Sequence, residues 1–215
     1  AVLDFYPVSE GVNETGPVIN GLLVAAAKSA VLDNVRAVQA AGLKLVDVDL
    51  IPFALSRALL HSESTSGTVA LVNVGAVTTS IVVATDGIPK FVRIIPSGGQ
   101  DITDALISTN GTTAAAADQI KGAQGLVRQA YDAGSTSESE TVFRATAELL
   151  STIRASLAFY ATNRPNDPIG GLVLAGGGSR LRGFAAALEE VSRVRVELGN
   201  PTTRFVIGRG VDTLT

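Results

Sequence analysis

Two short apolar runs that end in glycine turns limit the fold more than any other feature of the sequence. The first is VNVGAVTTS at residues 72–80, and the second is LAGGGSRLRGF at residues 174–184. Each reads as a buried strand that stops where the chain has little room for a Cβ. Three consecutive glycines between a strand and a helix serve either a tight turn or a place where backbone amides meet a phosphate or sugar. The first turn has the same two readings. Its threonines either favour an ordinary hairpin or present hydroxyls and amides to phosphate oxygens.

Around these turns the chain alternates strands and helices. Residues 18–26 read as a strand, and 28–41 as a helix with apolar positions 31, 32, 35 and 38 and Gly42 as its cap. Residues 43–49 alternate as a strand, completing a βαβ-like unit. A helix is expected over 52–60, then a polar linker over 61–67. Strands follow at 68–74, 79–85 and 90–96, the last two joined by Asp86-Gly87. Helices are expected at 101–108, 114–121 and 140–163, with a weaker stretch at 123–139 between them. A strand at 171–175, a helix at 181–191 and a strand at 194–198 close the pattern. A meander, a helical block and a return strand make α+β within an α/β class.

Composition removes several function classes. With 215 residues, 46% hydrophobic and 17% charged, the chain can build one larger domain or two lobes with their own cores. The net charge is −3 and no run of Lys or Arg exists, which argues against nucleic acid as a partner. There is no cysteine, so disulfides, thiolate chemistry and Cys-held metals are excluded. No apolar run approaches the roughly 20 residues needed to span a bilayer. The start, AVLDFYPVSE, lacks the basic region of a signal peptide, and the absence of Met at position 1 implies a piece of a longer product. The one histidine, His61, sits in the polar linker, so a Ser-His or Cys-His dyad has no support. Metal-binding spacings, the Walker A pattern and G-x-G-x-x-G are all missing.

The order and spacing of the two turns resemble the actin/Hsp70/sugar-kinase ATPase superfamily. There a second phosphate hairpin, D-x-G-x-x-T-[TS], precedes a helical subdomain, and an adenosine turn, GGGS-x-x-x-G, follows it. The matching residues are Asn73-Val74-Gly75-Ala76-Val77-Thr78-Thr79 and Gly176-Gly177-Gly178-Ser179-Arg180-Leu181-Arg182-Gly183. Between them Ala117-Asp118-Gln119-Ile120-Lys121 is similar to an A-E-x-x-K helix segment whose acid and lysine flank the adenosine. The i, i+3 spacing puts Asp118 and Lys121 on one helix face, where they could reach one ligand or form a solvated ion pair. Within the superfamily the chain resembles the PilM family of type IV pilus assembly proteins and its cell-division relative FtsA. LLVAAAKSAVLDNVRAVQAAGLKLVDVDLIPFALSRAL (residues 22–59), IPSGGQDIT (95–103) and RASLAFY (154–160) carry that resemblance.

The resemblance implies an actin-like, ribonuclease H-like lobe with an inserted helical subdomain, plus a small βαβ subdomain of the 1C type. The expected division is 1–49 (1C-like), 50–67 (connecting helix and linker), 68–100 with 166–215 (2A) and 101–165 (2B). It implies ATP and Mg²⁺ as ligands, with Gly75, Ala76, Thr78, Thr79, Gly98, Gly99, Asp118, Lys121, Gly176, Gly177, Gly178 and Ser179 at the nucleotide and Asn73 at the metal. It implies a cytoplasmic scaffold at the inner membrane face that binds a PilN-like membrane protein's cytoplasmic segment and other pilus assembly proteins. The first phosphate hairpin and the closing helix of the family have no counterpart here, so the chain reads as truncated at both ends. Asn73 stands where the family has a carboxylate, and a neutral amide lacks the charge Mg²⁺ favours, so the expectation is at most a weak ATPase. The alternatives are an FtsA-like division protein, or a sugar or acetate kinase of the superfamily with Asp47 or Asp49 as its carboxylate.

Overall fold

The computed structural model describes residues 1–60, 67–126, 136–202 and 208. Two strands, β1 (Val2–Asn13) and β2 (Gly16–Ala26), pair antiparallel as a long ribbon. Helices α1 (Lys28–Ala40) and α2 (Ile51–Leu59) follow. The main sheet is built from β3 (Thr68–Val74), β4 (Thr79–Thr85), β5 (Ile88–Ile95), β6 (Gly171–Ala175) and β7 (Val196–Leu198), in the order β5-β4-β3-β6-β7. Between β5 and β6 lie α3 (Gly99–Asn110), α4 (Ala114–Gln124) and α5 (Ser137–Asn163); α6 (Phe184–Ser192) connects β6 to β7. The meander and the return strand thus share one sheet across the helical block, as the sequence pattern requires.

β3 is apolar over Val69–Val72 because both faces of the strand are covered there. Ala70, Val72 and Val74 join the larger core with Leu106, Val142, Ile153, Tyr160 and Phe184 from the helical side. Val69 and Leu71 face the other way, into a smaller core with Leu55 and Leu59 of α2 and Leu60 at its end. Strand β6 sits parallel to β3 in register, Val69 opposite Gly171 and Asn73 opposite Ala175. The two glycine turns therefore leave the sheet at the same end, side by side.

The opposite end is closed by a polar knot. The Asp167 carboxylate accepts hydrogen bonds from Thr68 Oγ1, from Thr85 Oγ1 at 3.0 Å and from the Tyr160 hydroxyl at 2.7 Å. These bonds tie the start of β3, the end of β4 and the end of α5 together. The Thr68 bond is the largest cause holding the Asp167 carboxyl below its ordinary range, with Tyr160, Thr85 and Arg164 acting the same way against desolvation. Burial, reinforced by Asp167, pushes the Tyr160 hydroxyl up to about 12.

The N-terminal unit departs from expectation. It is ββα, not βαβ: residues 2–13 form a strand that the sequence reading left unassigned, and residues 43–49 form none. The Asn13-to-Gly16 turn explains the ribbon, since Asn13 Oδ1 accepts the Thr15 amide at 2.9 Å and Gly16 holds φ +121°. Residues 43–49 alternate correctly but have no neighbouring ladder among the described residues. The side chains of Asp47 and Asp49 take the next amides in line, Val48 at 2.7 Å and Leu50 at 2.8 Å, and Val46 is left 94% exposed. Aspartate offers the backbone a local partner and so weakens an isolated strand. The expected linker 61–67, His61 within it, falls outside the described residues apart from Gly67, as do 127–135 of the weak stretch.

Candidate functional site

The β3–β4 turn and the start of α3 are built as one piece. Gly75 N donates to Thr78 O at 2.9 Å and closes the turn. The first amides of α3 then dock on the turn's carbonyls, Gly99 N to Gly75 O at 2.9 Å and Gln100 N to Ala76 O at 2.7 Å. A Cβ at Gly98 would lie 2.6 Å from both of those oxygens, so this glycine exists for the close approach of helix and turn. With the carbonyls turned toward α3, no described protein group takes the amide hydrogens of Ala76, Val77 and Thr78. Thr79 points elsewhere: it is buried and its hydroxyl bonds Ser97 O at 2.8 Å.

The glycine turn after β6 lies against the same strand end. A Cβ at Gly176 (φ +88°) would sit 2.3 Å from Val74 O, and one at Gly178 would sit 2.3 Å from Val74 Cγ1. Both are glycines for internal packing. Gly177 is different: its φ is ordinary and a Cβ there meets nothing within 4 Å. A side chain at Gly177 would therefore not strain the backbone; that strain belongs to Gly176. Ser179 is spent on the turn itself, its hydroxyl donating to Gly176 O at 2.6 Å.

Helix α4 supplies the facing wall. The Lys121 ammonium donates to Asp118 Oδ1 at 2.8 Å, Thr103 Oγ1 at 2.7 Å and Gly99 O at 3.2 Å, while Thr103 Oγ1 donates to Asp118 Oδ1 at 3.0 Å. This is more than a solvated surface pair, because the Lys121 side chain is only 24% exposed against 63% for Asp118. The hydrogen bond from Lys121, then that from Thr103, holds the Asp118 carboxyl below its ordinary value. Thr103→Val, which keeps the shape and removes both bonds, should cost about 1–2 kcal/mol of stability in denaturant unfolding.

These pieces enclose a cleft of about 430 Å³. Gly75, Ala76 and Gly99 form one side, Gly177 and Gly178 another, and Asp118 and Lys121 a third. The floor is apolar, made of Ile102, Leu149, Leu181 and Phe184, and Arg180 stands at the wall. Leu181 and Phe184 adjoin the glycine turn and were within reach of the sequence reading; Leu149, from the middle of α5, carries no local signal. Asn73 and Thr78 do not line this cleft. With Ser80, Asp47 and Asp49 they line a second cavity of about 650 Å³ that runs along α1 and meets the first at Gly75. Asp49 is paired with Arg57. Among the described residues no three His, Cys, Asp or Glu side chains come together, and Asn73 offers only a neutral oxygen, so the described side chains do not fit a protein-held Mg²⁺.

A three-strand meander, a helical insertion and a parallel return strand, with glycine turns meeting at one sheet end, define a lobe of the actin-like ATPase fold. The chain has that fold in common with ethanolamine utilization protein EutJ of Carboxydothermus hydrogenoformans (20% identity, TM-score 0.57, 76% of this chain and 54% of that one). It shares it also with MreB5 of Spiroplasma citri bound to ADP (16% identity, TM-score 0.58, 83% and 62%). The chain belongs to the family described as Type IV pilus assembly protein PilM, which it matches over residues 1–214. A solved PilM-PilN type IV pilus biogenesis complex contains a chain 28% identical with a TM-score of 0.74, covering 94% of this chain and 56% of that one. Cell division protein FtsA of Bacillus subtilis (strain 168) is 26% identical over 203 residues, 85% of this chain and 45% of the relative. The chain therefore spans about half the length of these two relatives. Among the described residues no helix is long and apolar enough to cross a membrane.

Proposed function

We propose that this chain is the nucleotide-binding part of a type IV pilus assembly scaffold, with an adenine nucleotide in the cleft between α4 and the two glycine turns. The observation that carries the reading is the convergence of Asp118 and Lys121 with Gly75, Ala76, Gly177 and Gly178 on one cavity. The apolar floor suits a base, the carboxylate and ammonium suit ribose hydroxyls, and the unspent amides of the β3–β4 turn suit phosphate oxygens. The neutral Asn73 favours a nucleotide that acts as a structural or switching ligand over one that is turned over, with any Mg²⁺ brought by the phosphates. The division into 1C-like, connecting, 2A and 2B parts belongs to the same reading.

The partner is a PilN-like cytoplasmic segment, which would hold the protein peripherally at the inner membrane. Support comes from the 28% identical chain of the PilM-PilN complex. Isothermal titration with ATP, ADP and GTP tests the nucleotide. Adenine nucleotides should bind, and Lys121→Met should weaken them about tenfold, or ~1.4 kcal/mol. Equal affinity for GTP, or no loss in a folded Lys121→Met variant, would overturn the assignment. Titration with a PilN N-terminal peptide tests the partner separately.

A further inference from the structure

The far end of α4 is fastened to the loop that leaves the glycine turn. Leu126 N donates to Arg182 O at 2.7 Å, and Arg182 Nη1 reaches back to Ala123 O at 3.3 Å, 59 residues away in sequence. The two backbones are too close for side chains. A Cβ at Gly125 (φ +60°) would lie 2.5 Å from Arg182 Cβ, and one at Gly183 (φ +82°) would lie 2.5 Å from Leu126 O. Two positive-φ glycines on separate segments thus each press against the other segment, at positions where alanine is excluded twice, by φ and by space.

The location gives this contact a consequence. Gly125 caps the helix that carries Asp118 and Lys121, and Gly183 starts α6 three residues after Arg180. Both segments line the cleft. We propose that Gly125, Leu126, Arg182 and Gly183 form a clasp that sets the distance between the walls and is coupled to nucleotide binding; the proposal rests on the nucleotide reading above. The last glycine of the GGGS-x-x-x-G pattern is then a positioning residue that never touches the ligand. A ligand bridging the walls stabilises the closed clasp, and by reciprocity an opened clasp weakens the ligand by the same factor.

The test uses the whole chain. In the wild type, saturating ADP should slow amide exchange at Leu126 about tenfold. Gly183→Ala should weaken ADP about tenfold and abolish that protection. Arg182→Ala, which keeps both glycines, should fold and show a smaller loss of both, which keeps the proposal testable if Gly183→Ala does not fold. Leu126 exchange indifferent to ADP, or ADP affinity unchanged in folded clasp variants that are merely less stable, would overturn the clasp alone. Absence of ADP binding by the wild type would overturn the nucleotide reading and the clasp with it.

Discussion

Replacing Gly177 with valine is expected to lower nucleotide affinity by about tenfold or more, while the melting temperature stays where it is. The reason is local. Gly177 lines the cleft, its φ is ordinary, and a Cβ there meets no protein atom within 4 Å, so an isopropyl group fills ligand space and nothing else. Gly176→Ala should do the reverse. A Cβ at φ +88°, 2.3 Å from the carbonyl oxygen of the buried Val74, has no way to relax, and a loss of about 3 kcal/mol is expected. Calorimetric titration and thermal unfolding of the two variants separate the roles. Unchanged affinity in folded Gly177→Val would return the triple glycine to a turn and nothing more.

Asp167→Ala should be the most damaging change at the other end of the sheet, costing about 3 kcal/mol. It removes the acceptor shared by three hydroxyls, of Thr68, Thr85 and Tyr160, and leaves Thr68 and Thr85 only each other. The pH dependence follows from the direction of each shift. The Asp167 carboxyl is lowered in the fold, so its contribution is complete above the ordinary carboxylate value near ~4 and is lost as pH falls through the folded value. The Tyr160 hydroxyl is raised to about 12, so its contribution is complete below the ordinary tyrosine value near ~10 and is lost as pH rises from there through the folded value of about 12. The stability gap between wild type and Asp167→Asn should therefore narrow in acid, and the gap between wild type and Tyr160→Phe should narrow in alkali. Denaturant unfolding across pH measures both, and parallel curves would contradict the account.

Much of the lobe was legible because its signals are local. β3, β4 and β6 fall on the expected boundaries, where a continuous apolar run meets a glycine or hydroxyl turn. Asp118 and Lys121 were legible as a pair because the resemblance singled them out and the i, i+3 spacing put them on one helix face, where they do pair. What escaped the sequence was set by neighbours distant along the chain. Residues 43–49 have the alternation of a strand, but a strand exists only when another lies beside it. The ribbon strand β1 carries exposed Leu3, Phe5 and Val12 with no clean alternation, so its pattern was silent until paired with β2. The division of labour among Gly176, Gly177 and Gly178 depends on where Val74 sits, and the floor residue Leu149 on how α5 packs.

The parallel register of β3 with β6 has a consequence during synthesis. Val69 and Gly171 are roughly a hundred residues apart, and ribosomes add about 5–20 residues per second. The β3–β4–β5 meander can form soon after it emerges, because its contacts are local. Its most apolar strand must then wait roughly 5–20 s for the strand that covers its open edge. Unpaired N–H and C=O groups along such an edge invite pairing with other chains. A nascent chain shorter than residue 171 is the vulnerable species, and holdase chaperones should grip the protein most strongly at that length.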